Sequence, residues 1–133
     1  NDTNPNYAHE QIAKLQAKHP QDIAIITQNV DDLFERAGCK TVLHLHGFLP
    51  NIRCEKCATS QTIGYIKQER SLTCKACKGS LRPDIVLFGE PAPMYEHLYE
   101  VMEDCEFLAI IGSSGNVVAM DNFALHVKNA FKV

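Results

Sequence analysis

Ile23-Ala24-Ile25-Ile26-Thr27-Gln28-Asn29-Val30-Asp31-Asp32 is the stretch that decides the fold. Its first four residues form a continuous apolar run, the pattern of a strand buried on both faces, as in parallel sheets. The run then gives way at once to amides and carboxylates. In open α/β sheets, ligands bind beyond the carboxyl ends of the strands. The polar edge at 27–32 is therefore a candidate site, although Asx residues after a strand also serve as ordinary turns.

The flanks extend the pattern. Asn4-Pro5 reads as an N-cap followed by proline at the first helical position. Ala8, Ile12 and Leu15 recur at helical spacing, which predicts a helix from about Pro5 to Lys18, ended by Pro20. Asp31 to Ala37 predicts a short helix with Gly38 as its stop. Val42-Leu43-His44-Leu45-His46 alternates as a strand would, with both histidines on one face. Ile85 to Phe88 reads as a strand ending at Gly89, Met94 to Asp104 as a helix, and Phe107 to Ile111 as a second fully buried strand. Residues 120–130 read as a last helix, and Phe131-Lys132-Val133 as the start of a strand. Alternating strands and helices imply parallel βαβ units in a doubly wound sheet. Thr27 to Asp32, Gly89-Glu90 and Gly112 to Asn116 would then share one rim, suited to a nucleotide or polar cofactor.

A cysteine array interrupts this pattern. Cys54-x2-Cys57 and Cys74-x2-Cys77 are separated by sixteen residues, a spacing that signals zinc. Each pair can face one ion from a tight turn, and a hairpin between them closes a tetrahedron with no open position. In Cys74-Lys75-Ala76-Cys77-Lys78-Gly79, Gly79 is expected to take a positive φ that turns backbone N–H groups toward sulfur. Disulfides are the other reading, but a chain of this length and core content does not need staples. Cys39 and Cys105 stand alone and read as plain thiols in a reducing compartment.

At 133 residues, 45% apolar and 22% charged, the chain suits a single globular domain. No apolar run approaches the ~20 residues that span a bilayer. The opening Asn1 to Asn6 has the form of neither a signal peptide nor an initiator start. The expectation is a cytoplasmic protein, or nuclear in a eukaryote, and not a secreted one. Net charge is −3, unevenly spread: residues 49–82 hold seven Lys or Arg against two Glu. Such a basic zinc module could touch nucleic acid. The plainer reading is that these charges solvate a hairpin and offset the thiolates, since only Tyr65 offers a stacking ring.

The motifs also occur together in one family. Thr27-Gln28-Asn29-Val30-Asp31-Asp32-Leu33, Arg36-Ala37-Gly38, Leu45-His46-Gly47, the two cysteine pairs, Leu81-Arg82-Pro83-Asp84-Ile85-Val86-Leu87-Phe88-Gly89-Glu90 and Ile111-Gly112-Ser113-Ser114 stand in the order seen in sirtuins. Pro5-Asn6-Tyr7-Ala8-His9 also resembles the helix that precedes the Gln-Asn-x-Asp strand in that family. The resemblance runs from about residue 5 to the C-terminus and implies NAD-dependent removal of acetyl or other acyl groups from protein lysines. It implies a partial Rossmann-like fold in residues 1–48 and 82–133, with an inserted four-cysteine, zinc-ribbon-like module at 49–81 that holds structural Zn2+.

By the same resemblance, His46 is the catalytic general base, while Asn29 and Asp31 fix the nicotinamide carboxamide. Gln28, Asn29, Val30 and Asp31 line nicotinamide and its ribose, and Gly112, Ser113 and Ser114 meet the adenosine side of NAD. Val86, Phe88 and Gly89 hold the acyl-lysine, whose peptide is clamped as an added strand between that rim and the turn from Ser114 to Val117. The acyl oxygen would attack the ribose carbon that bears nicotinamide. His46 would then take a proton from a ribose hydroxyl, giving lysine, nicotinamide and O-acyl-ADP-ribose. Phe34, Leu87, Ser113 and Gly115-Asn116 depart from the family's usual residues. The family's Gly-Ala-Gly-Ile-Ser loop and late Asn motif are not among the 133 residues. The chain thus reads as a central fragment, inactive alone and prone to self-association through open sheet edges. A zinc-ribbon module that binds protein or nucleic acid without catalysis is the alternative.

Overall fold

A computed structural model describes residues 3–65, 73–113, 123–125 and 127–133. The chain divides into two compact units, Asn1–Met94 and Tyr95–Val133.

The first unit opens with helix α1 (Tyr7–Lys18). Its N-cap is Asn6, not Asn4: the Asn6 side chain accepts from His9 N, and the His9 ring returns a bond to Asn6 N. A reciprocal capping box outcompetes a proline-first start because it satisfies two orphan N–H groups at once, at about 1 kcal/mol for a good cap. Of the Ala8-Ile12-Leu15 stripe only Ile12 faces inward. Leu15 is 51% exposed, whereas Ala13 and Gln16 are buried. Gln16 donates to Thr41 O (2.9 Å) and accepts from Lys40 N (3.0 Å), so this buried amide pins the segment leading into the second strand.

Strands β1 (Ile25–Thr27) and β2 (Val42–His44) pair in parallel through helix α2 (Leu33–Ala37), which Gly38 ends in the left-handed conformation at φ 109. Ala13, Ile25 and Cys39 form the core here, with Ile12, Ile23, Phe34, Ala37 and Val42 packed on them. The second strand stops at His44. Leu45 and His46 form a tight turn, so the two histidines do not share a strand face. Leu45 N donates to Thr27 O at 2.9 Å, and the Leu45 side chain is fully buried.

Gly47 opens β3 (Gly47–Cys54), the centre of an antiparallel sheet ordered β4-β3-β5, with β4 at Ser60–Thr62 and β5 at Leu81–Ile85. The predicted parallel strand at 85–88 is therefore displaced: its strand lies four residues earlier and runs antiparallel. Pro83 tolerates this because β5 is an edge strand. Gly47 sits at φ 88, and a Cβ there would collide with the Asp84 carbonyl and lie 2.8 Å from Ile85 Cα.

The second unit carries most of α3 (Met94–Glu103), then β6 (Phe107–Ile110) and β7 (Asn129–Lys132), which pair in parallel. Leu108, Ile110 and Val127 are its core, with Met102, Cys105, Phe123 and Ala124 against them. β6 is buried on one face only: Phe107 is 66% exposed. The helix expected over 120–130 is corrected as well. Among its described residues only Phe123 and Ala124 are helical, and a strand begins at Asn129, where pairing with β6 outweighs helical periodicity. No helix among the described residues is long and apolar enough to cross a membrane.

Candidate active-site loops and metal centre

The polar edge after β1 is held by its own backbone. Asn29 N donates to Thr27 Oγ1 (3.1 Å) and Leu33 N to Asp31 Oδ1 (3.1 Å), so Thr27 and Asp31 shape the turn into α2. Two imidazoles then meet successive carbonyls of this turn. His46 Nδ1 lies 3.1 Å from Gln28 O, and His44 Nδ1 lies 3.1 Å from Asn29 O. A carbonyl can only accept, so Nδ1 of His46 carries the hydrogen and Nε2 is its basic nitrogen. On its other side, His46 O accepts from Val86 N at 2.9 Å. One residue thus joins the 27–32 loop to the segment after β5. Leu49 N adds a bond to Val30 O at 2.7 Å, and Tyr65 donates to Asp32 Oδ1 at 2.9 Å.

Beyond β5 the chain folds into a turn. Glu90 N donates to Leu87 O (3.0 Å), and Gly89 has φ 84. Phe88 sits on this turn, 99% exposed. Arg82 grips Glu90 through two bonds, 2.8 and 2.6 Å, and also donates to Ile85 O at 3.0 Å. Glu90 accepts from Leu87 N at 2.9 Å as well. The Arg82 guanidinium, then the Leu87 N–H, hold the Glu90 carboxyl below its usual range, and Glu90 raises Arg82 in return. Arg53 lies 3.5 Å from Asp84 and 3.6 Å from Glu90. Two of the seven basic residues in 49–82 are thereby engaged with carboxylates. Spacing alone does not reveal this clamp, because it depends on the turn after β5 that brings Glu90 back to Arg82. The signal available was an Arg and a Glu within one motif.

Cys54, Cys57, Cys74 and Cys77 converge, with all four sulfurs within 4.8 Å of one another. The two turns are near copies. Ala58 N donates to Cys54 O (3.0 Å) and Lys78 N to Cys74 O (2.9 Å). Cys54 N donates to Thr59 O (2.9 Å) and Cys74 N to Gly79 O (2.8 Å). The left-handed residue in each is Ala58 (φ 57) and Lys78 (φ 61), not Gly79. Gly79 is needed for space: a Cβ there would lie 2.9 Å from Cys54 Sγ and 2.8 Å from Lys56 Cβ.

Sulfur pairs at 3.4 Å (Cys54–Cys77) and 3.6 Å (Cys57–Cys74) suit a tetrahedron with Zn–S bonds of about 2.3 Å. By themselves the thiols share their protons unevenly. Thr59 pulls Cys57 down to about 6. The Gly79 N–H pulls on Cys77, but Cys54 and Cys57 outweigh it and push Cys77 up to about 12. Four thiolates this close need a cation among them. The set fits a structural zinc ion with no position left for substrate.

Gly112 (φ 67) and Ser113 follow β6 in the second unit, where Gly112 N donates to Val133 O at 3.1 Å. Ser114 and Val117 lie outside the described residues.

The Sir2 family model matches residues 1–119. The chain belongs to the Sir2 family. Among curated sirtuins, an NAD-dependent protein deacylase of Campylobacter jejuni is 49% identical over 121 residues, covering 90% of this chain and 52% of that protein. An NAD-dependent protein deacetylase of Chromobacterium violaceum is 35% identical over 113 residues, covering 85% and 46%. Among solved sirtuin structures, a Sir2 homologue in complex with NAD superposes with a TM-score of 0.83 at 33% identity, covering 98% of this chain and 54% of that one. A Sir2 bound to an acetylated peptide gives 0.80 at 30%, covering 98% and 59%. The chain thus spans about half the length of the curated relatives it matches, and its fold is part of the sirtuin α/β architecture with the four-cysteine module inserted.

Proposed function

We propose that this chain carries the general base, the nicotinamide-facing loop and the acyl-lysine rim of an NAD-dependent protein lysine deacylase. The observation that supports this most is the double seat of His46, on Gln28 O through its ring and under Val86 N through its backbone. One side faces the proposed cofactor loop and the other the proposed substrate rim.

Each residue has a task that its geometry allows. His46 Nε2 takes a proton from a ribose hydroxyl, and the Nδ1–H bond to Gln28 keeps the ring in that tautomer. The exposed Asn29 side chain offers both a donor and an acceptor, the complement of a carboxamide. Asp31, with one carboxylate oxygen held by Leu33 N, presents the other in a fixed direction. Val30 supplies backbone to the same loop, and Gly112, Ser113 and Ser114 are the proposed contacts to adenosine. NAD supplies the ribose carbon that accepts the acyl oxygen, with nicotinamide as leaving group. Val86, the exposed Phe88 and Gly89 receive the acyl-lysine of a protein or peptide, and Val117 is a further proposed contact to it. Zinc keeps β3, β4 and β5 together and takes no part in the chemistry.

We divide the chain into a cofactor domain at 1–48 and 82–133 and a zinc module at 49–81. We expect no turnover from the isolated chain, which spans about half the length of the curated relatives it matches. Exposed Phe107, Phe131 and Val133 favour self-association, which light scattering of the isolated chain would detect as dimers or larger species. The free thiols suit a reducing cytoplasm or nucleus.

The test is a chimera in which this chain replaces the matching half of the Campylobacter jejuni deacylase. It should remove the acetyl group from an acetyl-lysine peptide, leaving a free lysine side chain, only when NAD is added. A folded, zinc-loaded chimera with no NAD-dependent turnover would refute the reading.

A further inference from the structure

His44 has no task in the proposed chemistry, yet its ring is placed with care. Its side chain is 10% exposed, and both ring nitrogens meet acceptors: Nδ1 is 3.1 Å from Asn29 O and Nε2 is 2.8 Å from Glu35 Oε1. The Phe48 ring of β3 packs on it at 4.6 Å between centroids. A neutral imidazole has one N–H, whereas a carbonyl and a carboxylate can only accept. Both contacts are complete only if the pair holds a second proton, at Nε2 or at Oε1. Glu35 adds a second sign of this. Its Oε2 is shielded from solvent and has no hydrogen-bond partner among the described residues. A shielded, unpartnered carboxylate oxygen is costly unless a proton or positive charge stands beside its partner oxygen. Around the ring, α2 contributes Glu35, β3 contributes Phe48, and the loop after β1 contributes the Asn29 carbonyl, so Glu35 is the titratable contact in this set.

We propose that His44 and Glu35 form a proton-sharing positioning pair that fixes the Asn29 carbonyl and thereby the peptide on which His46 sits. The mechanical link is short. Gln28 O and Asn29 O belong to successive peptide groups, one held by His46 and the other by His44. When His44 lets go, the Gln28–Asn29 backbone is free to rotate, and the acceptor that sets the His46 tautomer moves with it. The effect on catalysis rests on the deacylase reading. The positioning itself does not.

The experiment uses the 133-residue chain with zinc bound. Two-bond nitrogen–proton spectra of the histidine rings and the Glu35 carboxyl carbon shift locate the proton near neutral pH. Amide hydrogen exchange at Leu45 and Leu49, whose N–H groups bond to Thr27 O and Val30 O, reports loop opening. Glu35→Ala should speed exchange at both amides tenfold or more. Glu35→Gln, whose amide can donate to Nε2, should stay within about threefold of the native rate. Should Glu35→Ala fail to hold zinc and fold, His44→Asn against His44→Ala makes the same comparison, because an Asn amide donates from near the Nδ1 position. A neutral His44 ring beside an ionised Glu35, or equal exchange in the Ala and conservative variants, would overturn the proposal. In the chimera, Glu35→Ala should lower kcat more than it raises KM, with Glu35→Gln restoring it. An inactive chimera with the exchange pattern intact would count against the deacylase reading and leave the positioning pair standing.

Discussion

Gly79 and Gly47 show how much of the site rests on single missing methyl groups. Gly79→Ala would press a Cβ between Cys54 Sγ and Lys56 Cβ, at 2.9 and 2.8 Å. Overpacking of this kind costs about 1–3 kcal/mol, and we expect weaker zinc retention against a competing chelator. Native retention would contradict the steric account. Gly47→Ala should be worse, since it combines a φ of 88 with a backbone collision at Asp84 and Ile85. There we expect loss of the cooperative unfolding transition in denaturant. At this scale the four cysteines are legible in the sequence, because thiolate chemistry demands them at that spacing, whereas His46 is singled out from His44 only by the Leu-His-Gly resemblance. Gln16 and the left-handed Lys78 are not, since a buried amide and a strained lysine contradict their own propensities until tertiary contacts impose them.

The element that departs most from its sequence pattern is β5. Ile85 to Phe88 has the apolar run of a strand, yet Leu81–Ile85 takes the pairing with β3 and leaves Leu87 and Phe88 exposed. The exposure of Leu87 and Phe88 is compatible with the proposed substrate rim. The Leu87–Glu90 turn depends on Arg82. Because Arg82 and the Leu87 N–H lower the Glu90 carboxyl in the folded state, their contribution is present above its ordinary value of 4.5. It is lost as pH falls through the lowered value. We therefore expect protection of the Leu87 amide from exchange at neutral pH and its loss on strong acidification. Glu90→Gln should remove that protection already at neutral pH. An unchanged Leu87 amide in this variant would show that the turn does not need the clamp.

Across the molecule, the parallel pairs β1–β2 and β6–β7 bear out the α/β reading, and the four-cysteine insertion falls where the cysteine spacing places it. The element boundaries were less legible, because pairing partners far along the chain decide them. The zinc module is tied to the 27–32 loop by Leu49 N to Val30 O and Tyr65 to Asp32. Removing zinc with a chelator should release β3, β4 and β5 and also raise amide exchange at Leu49. Retention of both would uncouple the module from the loop. The proposed role of His46 as the base carries the rest. In the chimera with the Campylobacter jejuni deacylase, the measurement is kcat/KM for NAD-dependent deacylation before and after His46→Ala, with zinc content held equal. A loss of about 10²–10⁴-fold is expected, the usual contribution of general acid–base catalysis. Activity kept within a few fold of the parent chimera would contradict it.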